Sequence, residues 1–282
     1  MKIPSFFKYT NRTAYTPLIA FLLLAMGHSS ICYAQAPVDG FFKGKGNIVA
    51  GLGAGVDLSD TYFAGTDEIA LTRNGVTASL FGIAGLHDNL DISASIPLVL
   101  INGNGGLQDG SVYLKYRALD FQMTSSKLEV SLAAGISTPL ADYETETSSA
   151  IGQQATVIDF RPILHFQSNS GWFATGQFGY QIKSDPTPSS TSMAFKFGRA
   201  QSEHYYDVWY TNQFADGGLD YLSDNALNSF KELGTDFHKV GVTYYRPVSE
   251  KLGVYLGGNS VLSGRNISKG FGVSLGAVLS LK

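Results

Sequence analysis

The chain has 282 residues, with 20 Lys and Arg against 23 Asp and Glu, and 15% of its residues are charged. This slightly acidic balance lacks the basic footprint that nucleic-acid binding requires. With a single cysteine, Cys32, there is no disulfide framework.

At the N-terminus, Lys2, Lys8 and Arg12 precede the apolar run PLIAFLLLAM at 17–26, which leads into HSSICYAQAP. A basic start, a short apolar stretch and small residues at the cut make a secretory signal peptide. The run is shorter than the ~20 residues a membrane helix needs. Cleavage is predicted after Ala34, since cutting after Ala36 would leave Pro37 first. Ile31 stands where a lipoprotein signal needs a small residue, so Cys32 is no lipid anchor and departs with the signal. Residues 1–34 are therefore read as a removed signal and 35–282 as the mature domain. That domain keeps seventeen basic and twenty-three acidic residues, a net charge of −6.

From residue 46 onward apolar residues recur at period two, the mark of strands with one apolar face. Twelve strands are predicted, at 46–57, 75–86, 89–100, 110–121, 127–138, 155–167, 171–182, 191–199, 203–214, 237–246, 251–262 and 270–281. Connections near 87–88, 122–126, 168–170, 200–202 and 247–250 are tight and polar. Those at 58–74, 101–109, 139–154, 183–190, 215–236 and 263–269 are longer. Short turns at one end and long loops at the other build an up-and-down membrane barrel. A Greek-key sandwich does not alternate in this way.

The first strand contains AGLGAGV at 50–56, which imitates a dinucleotide-binding fingerprint. That motif requires a helix next, and DLSDTYFAGTD is not one. Gly51, Gly53 and Gly55 instead share one strand face, INGNGG at 101–106 reads as a loop, and no cofactor is expected. In the third strand Leu90, Ile92, Ala94, Ile96 and Leu98 alternate with Asp91, Ser93, Ser95 and Pro97. The last strand sets Phe271, Val273, Leu275, Ala277, Leu279 and Leu281 against Gly270, Gly272, Ser274, Gly276, Val278 and Ser280. The second set of each strand is too small and too polar to fill a core. The apolar faces therefore meet lipid, and the polar faces line the lumen.

Asp91, Lys115, Arg117, Glu129, Asp159 and Arg161, with His165 and Gln167 nearby, fall on inward positions of strands three to six. They read either as a salt-bridged network that stiffens the wall or as the lining of a polar passage. Opposite them, Gly51, Gly53 and Gly55 of the first strand meet Gly270, Gly272 and Gly276 of the last. These glycines are expected to leave a side-chain-free gap along the seam, the candidate conduit. HFQSNSGW at 165–172 sets a His beside two Ser and an Asn, as in an outer-membrane phospholipase barrel. Nucleophilic catalysis needs the Ser within hydrogen-bond reach of the His. Here Ser168 to Gly171 form a turn and His165 points inward, so no catalytic residue and no metal ligand is assigned. Phe121, Phe166, Trp172 and Tyr244 near the short turns, and Tyr180, Phe195, Tyr210, Phe237 and Phe271 near the long loops, read as two interfacial belts.

The stretch GLHDNLDISASIPLVLINGNGGLQDGSVYLKYRAL, Gly85 to Leu119, resembles the outer-membrane family labelled "MetA-pathway of phenol degradation". Gly85, Asp88, Pro97, Gly106, Asp109, Lys115, Tyr116 and Arg117 carry the likeness, which covers roughly 75–182; GISTPLADY at 135–143 looks like the family's next segment. The resemblance implies a barrel that carries hydrophobic or aromatic compounds.

The expectation is an all-β, twelve-stranded antiparallel barrel in the outer membrane of a Gram-negative bacterium, acting as a passive channel and not as an enzyme. Its partners would be outer-membrane lipid, a small-molecule substrate and the barrel-assembly machinery. Two alternatives stand beside it. One is a lumen-plugged barrel with lipid-facing hydrolase activity; the other is a structural or adhesive barrel that binds through its long loops.

Overall fold

A computed structural model of the chain describes residues 37–146, 148–223 and 229–281. The signal peptide assigned to 1–34 and its cleavage point lie outside the described residues.

Period-two segments separated by tight turns fold into hairpins, and the hairpins follow one another around a cylinder. In order these strands are β1 (Ile48–Ala64), β2 (Asp67–Ala70), β3 (Gly75–His87), β4 (Leu90–Ile101), β5 (Asn104–Leu107), β6 (Asp109–Gln122) and β7 (Ser126–Pro139). They continue as β8 (Val157–Ser168), β9 (Trp172–Lys183), β10 (Ser190–Ala200), β11 (Tyr205–Ala215), β12 (Asp236–Pro247), β13 (Leu252–Arg265) and β14 (Ile267–Ser280). All but β2 and β5 are wall strands, each paired antiparallel with its sequence neighbours, and β14 returns to pair with β1. That closing ladder runs from Val49↔Ser280 to Phe63↔Ile267. Closure satisfies the edge backbone groups that lipid cannot. No helix among the described residues is long and apolar enough to cross a membrane; the crossing is made by strands.

Large apolar side chains stand exposed on the outside of the wall, from Leu52 on β1 through Leu132 on β7 to Leu275 on β14. Water would penalise such a surface, whereas the bilayer is its solvent. Trp172 and Phe197 stack on this outer face at 5.4 Å, with Tyr206 edge-on to Trp172 at 6.2 Å. They form the aromatic belt at the short-turn end. The protein is an outer-membrane β-barrel.

All twelve predicted strands are present, and the differences lie at the loop end. β1 runs past 57 to Ala64 because a bulge between Leu58 and Thr61 resets its alternation. It then turns at Gly65 into β2. β5, inside the predicted loop 101–109, pairs back on β4. The predicted loop 263–269 shrinks to one residue, Asn266, between β13 and β14. The β13–β14 ladder stops at Ser260↔Phe271, beyond which β13 pairs with β12 and β14 with β1. Phe237, expected in the outer belt, stands opposite Gln213 with lumen-side parity.

Asn266 adopts φ 54°, a left-handed conformation that Asn tolerates better than most residues. Its Oδ1 accepts from the amides of Gly65 and Tyr221, each at 2.9 Å, and its Nδ2 donates to Leu219 O at 2.9 Å and Gly234 O at 2.7 Å. One buried side chain with both donor and acceptor thus ties three connections together at the mouth. Arg73 donates to the carbonyls of Ser148 and Ala150, and its guanidinium lies 5.8 Å from the rings of both Tyr62 and Phe230.

Candidate functional site: the barrel lumen

The charges expected on strands three to six all stand inside, on β4, β6, β7 and β8, and they are paired. Lys115 Nζ lies 3.4 Å from Asp91 Oδ2. Glu129, with no exposed surface, receives Arg117 Nε at 2.8 Å and Lys127 Nζ at 3.2 Å. Asp159 Oδ2 receives Arg161 Nη2 at 2.9 Å, Tyr113 Oη at 3.2 Å and Gln181 Nε2 at 3.1 Å. Arg161 Nη2 reaches across to Ser192 Oγ at 3.0 Å. Each pair joins residues whose backbones the barrel fixes, so little side-chain freedom is lost in forming it. Removing one partner of such a buried pair costs roughly 3–5 kcal/mol, because the other charge is left without compensation.

The segment before β1 enters this charged half of the lumen. Its base is held at the short-turn end, where Lys45 N donates to Asp88 Oδ1 at 3.0 Å and Gly46 N to Gly85 O at 2.8 Å. Gly85 must be glycine, because the Gly44 carbonyl passes where a Cβ would lie. From there residues 43 to 38 rise along the inner wall. Lys43 N donates to Asp91 Oδ2 at 3.2 Å, and Lys115 Nζ donates to Phe41 O at 2.6 Å and Asp39 O at 2.9 Å. Phe42 lies under two cations, 3.9 Å from Lys115 Nζ and 4.3 Å from the Arg117 guanidinium carbon. Gly40 lets the backbone press on His165 and Thr175. Val38 packs with Tyr113, Ala133 and Ile163, and its carbonyl accepts from Gln177 Nε2 at 2.7 Å. This strap is the main feature that sequence reasoning missed. The available signal was the pair Phe41-Phe42, two bulky apolar residues ahead of the first strand with no strand face to occupy.

The glycine seam has a different inner surface. Gly51 lies beneath the Phe81 ring, Gly53 and Gly276 beneath Tyr255, Gly253 beneath Tyr245, and Gly241 beneath Trp209. Gly272 is covered by Asp57 and Asn259, while Gly270 abuts the Leu58 carbonyl and Ser59. Gly53 pairs with Gly276, and Gly55 with Ser274, across the closing ladder. In place of the bare gap expected from the sequence, rings pack against the wall where the glycines leave room. Hydrogen alone fits between such a ring and the backbone.

HFQSNSGW forms no catalytic pair. His165 Nδ1 bonds Thr175 Oγ1 at 2.8 Å, while Ser168 Oγ bonds Ser170 Oγ at 2.9 Å and donates to Trp172 O at 3.2 Å. Among the described residues no group of three His, Cys, Asp or Glu side chains is arranged to hold a metal.

A family model described as "Putative MetA-pathway of phenol degradation" matches residues 38–275. Among solved structures, the COG4313 outer membrane channel from Pseudomonas putida F1 aligns with a TM-score of 0.66 at 13% identity, over 87% of this chain and 100% of that one. The likeness is one of fold. The NanC porin aligns at 0.46 with 11% identity, over 83% of this chain and 100% of its own. The translocator domain of the autotransporter NalP from Neisseria meningitidis aligns at 0.44 with 10% identity, over 83% and 88%. None of the curated proteins matches the sequence.

Proposed function

The chain belongs to the family described by its matching model as the MetA-pathway of phenol degradation, and on that premise we propose that it is a passive channel for small hydrophobic or aromatic compounds. The observation that carries this reading is the ring-faced inner surface from β11 to β3, where Trp209, Tyr245, Tyr255 and Phe81 cover the wall glycines. Aromatic rings, three of them carrying an N–H or O–H, offer a small aromatic solute successive contact surfaces inside an otherwise polar lumen. The fold neighbour titled an outer membrane channel supports passage rather than catalysis. So does the lack, in the 165–172 segment, of a hydrogen-bonded Ser–His pair. We place the conduit along this seam, with the charged half of the lumen held shut by the strap. In this reading the partners are outer-membrane lipid, a small-molecule substrate and the assembly machinery that inserts the barrel, and no cofactor takes part.

The test is uptake into proteoliposomes of a panel of small aromatics and sugars of matched size. Faster entry of the aromatics than of the sugars supports the reading. Equal rates, or rates no higher than in protein-free liposomes, refute it.

A further inference from the structure

Backbone ladders join each wall strand to its neighbours, and between β13 and β14 the ladder stops short. It ends at Ser260↔Phe271, although the strands run on to Arg265 and back to Ile267. Beyond that row β13 pairs with β12, and β14 with β1. A bulge flanks the parting on each side, at Leu262 in the β12 ladder and at Ser59 and Asp60 in the β14–β1 ladder. Across the parting itself Ser260 Oγ donates to Gly270 O at 3.2 Å, and the Ile267 side chain lies against Gly264.

The axial entrance above this row is roofed by loops. Phe230 N donates to Thr145 O at 2.8 Å, Gln153 Nε2 to Leu233 O at 2.9 Å and Lys231 Nζ to Gln154 Oε1 at 2.7 Å. These bonds join the loop after β7 to the loop after β11. Arg73, between β2 and β3, adds a bond to the Ala150 carbonyl at 2.8 Å. Tyr62, Ala150, Ile151 and Leu233 are buried beneath them, so the roof has a packed interior.

We propose that small aromatics enter sideways, from the outer leaflet of the membrane through the parted ends of β13 and β14, and not along the barrel axis. The inference rests on the channel reading above and supplies its entrance. Elsewhere, opening the wall breaks a ladder whose backbone groups lipid cannot satisfy; here it breaks side-chain contacts. The parting starts at Phe271, whose ring stands exposed at the loop end of the outer face. Rings with a polar edge settle at that depth of a bilayer. Directly inside, Asp57 and Asn259 cover Gly272, and Tyr255 lies over Gly53 and Gly276, where the ring-faced seam begins. A ring with one polar end therefore meets matching surfaces at each step. A sugar stays in water and is never delivered to the slit.

The test staples the slit shut. Leu262→Cys and Lys269→Cys stand opposite each other if the ladder is continued past Ser260↔Phe271, and dibromobimane fluoresces once both thiols have reacted. Initial uptake of 2-phenylethanol is followed in proteoliposomes with an outer leaflet of lipopolysaccharide, before and after stapling. The staple is expected to abolish protein-dependent uptake while the unheated band on an SDS gel keeps its mobility. Ser260→Ala, which removes the hydrogen bond across the parting and no ladder, should raise uptake about two- to tenfold. The same staple placed across the roof, on Thr145→Cys with Phe230→Cys, should leave uptake unchanged. Uptake that survives the slit staple, a Ser260→Ala protein no faster than wild type, or a loss on stapling the roof overturns the proposal and leaves the channel reading in place. Wild-type uptake no higher than in protein-free vesicles removes both.

Discussion

Replacing Phe41 with Ala should release the strap without harming the barrel. The ring makes three edge contacts, with His165, Phe173 and Tyr205. At roughly 1 kcal/mol per aromatic pair these sum to about 3 kcal/mol of docking free energy. That corresponds to a rise on the order of a hundredfold in the population of undocked strap. Trypsin cuts after Lys43 and Lys45 once the segment leaves the lumen. When opening and closing are fast relative to cleavage, the cutting rate follows that population. Cleavage should therefore run about a hundred times faster in Phe41→Ala than in the wild type. The unheated band on an SDS gel should keep its mobility, because Phe41 belongs to no wall strand. Phe42→Ala loses cation–π contacts with Lys115 and Arg117, each about 1 kcal/mol, and should accelerate cleavage less than Phe41→Ala. An unchanged rate in Phe41→Ala would refute the reasoning, as would a wild-type strap cut as fast as a free peptide.

The strap should also come loose in acid. Burial pushes the Asp39 carboxyl up, but Lys43, Lys196, Lys115 and His165 outweigh it and hold the group below the ordinary carboxylate range. Docking is then fully supported above the unfolded pKa of about 4 and lost as pH falls through the lower, docked value. Protection of the Lys43 amide from hydrogen exchange, corrected for intrinsic rate, should be level from pH 7 to about 5 and fall below about 4, and Asp39→Asn should abolish that fall. Arg117→Gln should destabilise the barrel by roughly 3–5 kcal/mol in urea titration. Lys127→Gln should cost less, because the Lys127 side chain is 31% exposed against 17% for Arg117; equal costs would show that Glu129 does not distinguish them. Gly53→Ala places a methyl on Tyr255 Oη and should cost about 1–3 kcal/mol. In a Tyr255→Phe background the nearest remaining ring atom is 3.5 Å away, so most of that cost should vanish; additive costs would place the ring elsewhere.

The wall was legible in the sequence because a half-buried strand writes its two faces at period two. Leu90 to Leu98 against Asp91 to Pro97 fixes both the strand and which side meets lipid. The alternation of tight turns with long loops then fixed the topology. What period two cannot carry is the partner of an inward side chain. It placed Glu129 and Arg117 in the lumen but not 2.8 Å apart, and it identified the seam glycines without the rings that cover them. The loop end was misread where a bulge at 58–61 breaks the alternation yet the ladder continues. Asn266 replaced a seven-residue loop because one side chain satisfies four backbone groups. The strap was invisible for a further reason. VDGFFKGKGN has no period of its own and takes its place from Lys115, His165 and Asp91, residues about 50 to 130 positions away.

The central claim is that small aromatics pass along the seam of this barrel. Its most direct test is single-channel current through the protein in a planar bilayer, recorded while a small aromatic or glucose is added on one side. The expected record shows a resolvable conductance that aromatics interrupt in proportion to their concentration and that glucose leaves untouched. A membrane that stays silent, both with the strap intact and in Phe41→Ala, or a current that glucose and aromatics interrupt alike, would contradict it.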